Sequence, residues 1–166
     1  MKRYLIAALI LCACHRAVVP TNTLLWRVNG PWADHPRGDG TSVRTAQAVI
    51  ISFRASHEYV EHHGTVIEQP DTSVYIVSGA KHVIAVGRWE QDGSDIKVKR
   101  QLVSPQNAGV LCDQAQLRFR ISEASVIGDT GELTTGIYAP VTRLVSPDFE
   151  SYINAAKRSP IICPEK

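Results

Sequence analysis

The stretch Ile96-Lys97-Val98-Lys99-Arg100-Gln101-Leu102 decides the fold class of this chain. Its apolar side chains occupy one parity, and most of its charged or polar side chains occupy the other. Side chains point alternately to the two faces of a β-strand, so the pattern predicts a strand with one buried and one solvated face. Leu117-Arg118-Phe119-Arg120-Ile121 repeats the alternation more cleanly. Both stretches predict strands whose arginines and lysines point outward.

The chain before the first of these stretches is predicted to be a meander of short strands. Residues 65–68, 73–77 and 83–89 are runs rich in β-branched side chains. They are separated by turn sequences such as Pro70-Asp71 and Gln91-Asp92-Gly93-Ser94, which favour hairpins. Further strands are predicted at 23–28 and 46–53, and two or three more between 126 and 144.

One segment, residues 147–157, predicts a helix. It has acids near its start and Lys157 at its end, and it stops before Pro160. Its apolar side chains share one face, which we expect to dock across the open end or edge of the sheet. The predicted fold is therefore mainly β: a small antiparallel β-barrel or bent sheet with one C-terminal helix.

The sequence Val86-Gly87-Arg88-Trp89, followed by an acidic turn and a strand, resembles the Gly-x-Trp corner of lipocalin-like barrels. In lipocalins that motif lies on the first strand, whereas here it lies in the middle of the chain. The resemblance implies a small barrel and implies no ligand.

The amino-terminal segment has the pattern of an export signal. Lys2 and Arg3 precede a run of apolar or small residues that ends at Ala13, and polar His15 follows. A membrane-spanning helix needs about 20 apolar residues, so this run is too short to be a permanent span.

The end of that run, Leu11-Cys12-Ala13-Cys14, resembles the lipobox of bacterial lipoprotein precursors. The resemblance implies cleavage before Cys14, a diacylglycerol on its sulfur, and an acyl group such as palmitate on the new amino terminus. The alternative is an ordinary signal peptide cut after Ala13, which leaves Cys14 as a free thiol. No acidic retention signal follows Cys14, and this favours the periplasmic face of the outer membrane. The predicted organisation is a signal peptide at 1–13, a lipidated Cys with a short linker at 14–22, and one β-rich domain at 23–166.

Removal of the signal changes the charge and cysteine counts. The precursor has eighteen Lys and Arg against sixteen Asp and Glu, and two of the basic residues lie in the signal. The mature chain is therefore neutral with His uncharged, which argues against a nucleic-acid binder. Cys112 and Cys163 remain, and in an oxidising compartment we expect them to form a disulfide. It would close a loop of about 50 residues and stabilise the fold by about 2–4 kcal/mol.

The richest cluster of candidate chemistry is His57-Glu58-Tyr59-Val60-Glu61-His62-His63. Its spacing fails the His-Glu-x-x-His pattern of zinc hydrolases. On a strand, His57, Tyr59, Glu61 and His63 would share one face, and Glu58, Val60 and His62 the other. His57, Glu61 and His63, with His82 from a neighbouring strand, form a candidate zinc or copper site. The alternative is a solvated polar edge.

Two further features lie near the start of the predicted domain. Arg37-Gly38-Asp39 spells an integrin-binding tripeptide in a predicted exposed loop, and the alternative is a chance match among common loop residues. Trp26 and Trp32 are expected to close one end of the barrel, or to contact the membrane interface or a partner.

No catalytic motif in the chain passes its spacing test. We therefore expect an envelope lipoprotein, not an enzyme, whose domain binds a partner protein or a small ligand without a cofactor. The competing hypothesis is a metal-binding protein or metal-dependent hydrolase that uses the cluster at 57–63.

Overall fold

The computed structural model describes residues 18–77, 83–105, 110–112, 114–123, 125–129, 134–141, 149–158 and 161–162. In these residues the structure is mainly β. The elements are β1 Leu24–Pro36, β2 Ser42–Phe53, β3 Glu58–Glu68, β4 Val74–Val77, β5 Val83–Asp92, β6 Asp95–Pro105, β7 Val110–Cys112, β8 Gln116–Ser122, β9 Ser125–Gly128, β10 Gly136–Pro140, α1 Phe149–Arg158 and β11 Ile161–Ile162.

Eight strands form a closed antiparallel barrel in the order β1, β2, β3, β5, β6, β8, β9, β10. The pairing of β10 with β1 and of β6 with β8 closes the circle. Each barrel strand pairs with the next barrel strand along the chain, which is the up-and-down arrangement. The prediction of a small antiparallel barrel is confirmed, and the architecture is consistent with a lipocalin-like barrel.

Two barrel strands change partner along their length. β3 pairs with β5 as far as His63 and with β4 from Thr65 onward. β6 pairs with β8 as far as Lys99 and with β7 from Leu102 onward. The predicted meander is therefore wrong at one point, because β5 pairs with β3 and not with β4.

The main core fills the barrel interior. It draws buried residues from all eight barrel strands and adds Val19 from the segment before β1. Aromatic side chains occupy much of the space: the ring of Phe53 lies 5.6 Å from that of Tyr59, 5.5 Å from that of Phe119 and 5.8 Å from that of Trp89. An eight-stranded barrel is just wide enough for side chains to fill it, and among the described residues these rings pack against one another in its interior.

A second core lies on the outer wall. It contains the opposite-facing residues of β2, β3, β4 and β5 together with fully buried Ile153 of α1. Ion pairs at the β2–β3 turn hold the helix, one from Arg54 to Glu150 at 2.6 Å and one between Lys157 and Glu58. The helix thus lies against the outer wall and not across the open end or edge of the sheet.

Candidate functional site

The central part of the histidine-rich cluster forms β3, and the two faces of this strand are separated as the alternation predicted. Tyr59 and Glu61 point into the barrel, and His63 contacts Glu61 from the same side. Val60 belongs to the outer core, and His62 is buried with 1% of its surface exposed. The alternative of a solvated polar edge is wrong for this strand, because β2 and β5 pair with its two sides and both faces are covered.

Glu61 is the centre of a polar cluster inside the barrel. Its side chain is fully buried, and both of its carboxylate oxygens have partners. The Tyr59 hydroxyl donates to Oε2 at 2.9 Å, and Nε2 of His63 donates to Oε1. A guanidinium nitrogen of Arg100 lies 3.6 Å from Oε1. Glu61 therefore balances the charge of Arg100 and has a hydrogen-bond partner on each carboxylate oxygen.

The electrostatics of the cluster follow from these contacts. Burial alone would raise the pKa of Glu61, but the hydrogen bond from His63, the charges of His63 and Arg100 and the Tyr59 hydroxyl outweigh it, so the pKa lies below its usual value. Burial, followed by the Glu61 charge, raises the pKa of Tyr59 well above its usual range. Glu61 is therefore ionised and Tyr59 is neutral at neutral pH.

Arg100 is the residue of this cluster that the sequence interpretation missed. Arginines of this strand were predicted to point outward, and that is wrong for Arg100, which reaches into the barrel and pairs with Glu61. The sequence contains a sign that Arg100 points inward, because Arg100 has the parity of buried Ile96 and Val98. A cation on the apolar parity of a strand indicates a buried acid opposite it.

His57 lies apart from the other candidate metal ligands. It belongs to the β2–β3 turn, where its ring stacks on Trp89 at 5.0 Å and its Nδ1 is 3.2 Å from the carbonyl oxygen of Trp89. Six residue steps of extended chain lead from it to His63, about 20 Å at the usual rise. Among the described residues, no three His, Cys, Asp or Glu side chains lie together as metal ligands would. His82 lies outside those residues, and zinc or copper binding stays a prediction.

The outer faces of β5, β6 and β8 form a second candidate site. They enclose a groove of about 300 Å³. Four cations line it, namely Arg88, Lys97, Lys99 and Arg118, and among the described lining residues Glu90 is the one acid. We call this feature the basic groove. In the barrel register Arg88 lies directly opposite Lys99, and Lys97 lies directly opposite Arg118. The sequence predicted that Lys97, Lys99 and Arg118 point outward, but not that three strands align them with Arg88.

The two tryptophans near the start of the domain lie outside the barrel. Trp26 and Trp32 are half-buried, meet edge to face at 6.2 Å, and pack against the outer core. Arg44 lies over the Trp32 ring at 5.1 Å. The expectation that they close a barrel end is wrong, because the side chains of β1 that share the parity of Trp26 face outward.

The tripeptide Arg37-Gly38-Asp39 occupies the exposed β1–β2 turn, as predicted. The Asp39 carboxylate accepts hydrogen bonds from the backbone nitrogen and the hydroxyl of Thr41, at 2.9 and 2.7 Å. Arg37 donates to the side chain of Gln69 at 3.1 Å. The contacts of Asp39 close the turn, and the contact of Arg37 joins the turn to Gln69, the residue after β3.

The residues predicted for lipidation and disulfide bonding fall largely outside the described part. Cys14 and Cys163 lie outside it, whereas Cys112 is the last residue of β7. Within the described residues, no helix is both long and apolar enough to span a bilayer. In comparisons with known proteins, no family model matches the chain, and no curated protein and no solved structure matches it.

Proposed function

We propose that this chain is a bacterial envelope lipoprotein, anchored through lipid on Cys14, whose barrel is a non-catalytic binding domain. It binds a partner protein or a small ligand on its outer wall. The observation that supports this proposal best is the aromatic packing inside the barrel, which leaves the outer wall as the surface on which we propose binding.

The packing of side chains inside the barrel supports binding on the outer wall. Tyr59, Phe119 and Tyr138 extend the aromatic cluster around Phe53, with ring separations of 5.8 and 6.0 Å along that series. Tyr138 is fully buried, and its hydroxyl donates to the carbonyl oxygen of Thr134 at 3.0 Å. A ligand in this space would have to displace these rings and the partners of Glu61, at the cost of burying unsatisfied polar groups.

The point at which the amino-terminal segment joins the barrel supports a lipid anchor on Cys14. Val19 is buried in the interior core, and the backbone nitrogen of Asn22 donates to the carbonyl oxygen of Phe53 at 2.8 Å. Five residue steps separate Cys14 from Val19, a reach of at most about 18 Å. A lipid on Cys14 therefore holds the barrel close to the membrane, with the β2–β3 turn on the tethered side. We place the protein on the periplasmic face of the outer membrane.

The disulfide between Cys112 and Cys163 is part of the same proposal. β7 and β11 pair in parallel, with Val110 opposite Ile161 and Leu111 opposite Ile162. If this register continued by one residue, Cys112 would lie opposite Cys163, which is outside the described residues. Neighbouring strands are about 4.8 Å apart, which lies within the Cα separation of about 4.4–6.8 Å that a disulfide requires.

Site-specific photo-crosslinking in living cells tests the binding role. A photoreactive residue replaces Gln101 or Gln116, which line the basic groove, or, as a control away from the groove, Gln47, which is exposed on the inward-facing parity of β2. We expect a discrete adduct from the groove positions and little from Gln47.

Two results would overturn the proposal. One is the lack of any adduct from all three positions. The other is turnover of an envelope substrate by the purified protein, abolished by Glu61→Gln in a variant that still folds, because that would place chemistry inside the barrel.

A further inference from the structure

We propose that the basic groove binds the phosphate of anionic lipid headgroups in the membrane that holds the anchor. This inference rests on the lipid anchor of the proposed function and names what the outer wall contacts. Four cations of the groove, Arg88, Lys97, Lys99 and Arg118, supply the recognition.

The first support is the arrangement of like charges. Arg88 lies directly opposite Lys99 on one face, and Lys97 lies directly opposite Arg118. On their other sides, Arg88 is opposite Glu58 and Lys97 is opposite Glu90. Like charges at such positions destabilise a sheet. An anion in the groove offsets that repulsion, because it is attracted to both members of each pair.

The second support is the distribution of acids around the groove. Asp92 lies 3.2 Å from the Lys97 ammonium, and Asp95 and Asp129 lie 3.6 and 3.5 Å from the guanidinium of Arg120. These acids are next to the β5–β6 turn. Farther along the groove, no salt bridge joins Lys99 to an acid among the described residues, so positive charge is concentrated there.

The third support is the position of the groove on the barrel. Arg88 is opposite Glu58 in the register of β3 and β5, and its guanidinium lies 3.5 Å from the carbonyl oxygen of Ser56 in the β2–β3 turn. That turn is next to the point where the anchoring segment enters the barrel, through the bridge between Thr21 and Phe53. The Arg88–Lys99 pair is therefore level with the β2–β3 turn on the tethered side, and the β5–β6 turn lies beyond it on the same side.

The chemistry of the groove suits a phosphate. Arginine and lysine donate charge-assisted hydrogen bonds to phosphate oxygens, and Gln101 and Gln116 add amide donors. A volume of about 300 Å³ is at the small end of ligand sites and accommodates a compact headgroup. A cation near an anionic bilayer also gains free energy that salt screens.

Lysine labelling of the intact lipoprotein tests this inference. The protein, shown by intact mass to carry lipid, is reconstituted into vesicles of phosphatidylcholine alone or of an equal mixture with phosphatidylglycerol. A water-soluble amine reagent and peptide mass spectrometry then give the labelling rates of Lys97 and Lys99. With phosphatidylglycerol we expect each rate to fall about fivefold at low salt and to recover at high salt.

Variants distinguish phosphate binding in the groove from non-specific attraction of other cations of the protein to the anionic bilayer. Arg88→Gln with Arg118→Gln leaves both reporter lysines in place and should abolish their protection. Arg37→Gln with Arg44→Gln removes the same charge away from the groove and should leave the protection unchanged. A third arm adds inorganic pyrophosphate to the phosphatidylcholine vesicles.

The outcomes are distinct. Equal labelling in both kinds of vesicle overturns the inference, and so does protection by pyrophosphate without protection by phosphatidylglycerol, because the source is then a soluble phosphate. Protection that survives Arg88→Gln with Arg118→Gln also overturns it. A protein without lipid would instead overturn the proposed anchor, so the two failures are distinguishable.

Discussion

The residue that most constrains this molecule is Glu61, a fully buried carboxylate in the barrel interior. A charge in that position is tolerated only when its partners replace water, and Tyr59, His63 and Arg100 do so here. The cluster therefore fixes how β3 and β6 face each other across the interior, and any loss of a partner leaves an uncompensated polar group.

The substitution Glu61→Gln should destabilise the fold. The amide keeps the shape of the side chain but leaves Arg100 without its counter-charge, and breaking a buried ion pair costs about 3–5 kcal/mol. Arg100 is partly exposed, so we expect the lower part of that range. Urea unfolding at neutral pH measures the change. Glu150→Gln removes a carboxylate from an exposed ion pair and should cost less than about 1 kcal/mol; equal losses in the two variants would contradict the account.

The same carboxyl predicts how stability depends on pH. Its pKa in the folded protein is lowered, so its contribution is present above the unfolded value of about 4.3 and is lost as pH falls through the folded value. The difference in unfolding free energy between wild type and Glu61→Gln should therefore shrink below about pH 4. Urea titrations across the acid range measure it. A difference that stays constant or grows on acidification would show that the Glu61 pKa is not lowered.

Gly87 is required for a close approach between two barrel strands. A Cβ at this position would lie 2.4 Å from the carbonyl oxygen of Lys99 and 2.8 Å from Cα of Arg100. The register of β5 and β6 shifts at this point, which brings the backbones together. We expect Gly87→Ala to cost about 1–3 kcal/mol in unfolding free energy.

Gly38→Ala is the matched control for this prediction. Its Cβ would meet nothing within 4 Å, so the change should stay within about 0.5 kcal/mol. An unchanged unfolding midpoint in Gly87→Ala would contradict the proposed close approach.

At the residue scale, alternation predicted the inward and outward positions of β3 but not their burial. Parity assigns Tyr59 and Glu61 to one face and Val60 and His62 to the other, and this is correct. Burial depends on a cation from β6 and on the pairing of β3 within the barrel wall, and neither is local in sequence. For this reason, the alternative of a solvated edge fits the local sequence of β3 and is nevertheless wrong.

At the scale of elements, α1 covers the outer core of the barrel. Ile153 is fully buried, so Ile153→Ala should cost about 2–5 kcal/mol. Hydrogen exchange should show loss of protection in α1 while the strands of the barrel interior keep theirs, because the interior core does not include Ile153. Asn154→Ala changes an exposed neighbour on the same helix and should leave protection unchanged. Uniform loss across the barrel would contradict this division.

Most strands were predicted from the sequence because their patterns are local. The region at 96–102 and the region at 117–121 became β6 and β8, with alternate residues buried in the described part. Partner choice was not predictable in the same way. Among the described residues, β4 is a short strand whose partner is β3, and β7 and β11 are too short to show a period. Such pairings depend on how the barrel closes and not on the strand's own sequence.

At the scale of the whole molecule, the barrel separates the interior that stabilises it from the outer wall on which we propose binding. Its interior provides stability through aromatic packing and the Glu61 cluster, and its outer wall carries the helix on one side and the basic groove on another. The neutral balance predicted for the mature chain conceals this distribution, because composition counts charges without placing them. The proposed role therefore depends on geometry that composition does not predict.

The measurement that tests the central claim most directly is the intact mass of the protein purified from the membranes of the cells that produce it. The account predicts a chain that begins at Cys14 and carries a diacylglycerol and an acyl group, with Cys112 and Cys163 resistant to alkylation until a reductant is added. A product that retains Met1, carries no fatty acid and has freely alkylated cysteines would contradict it.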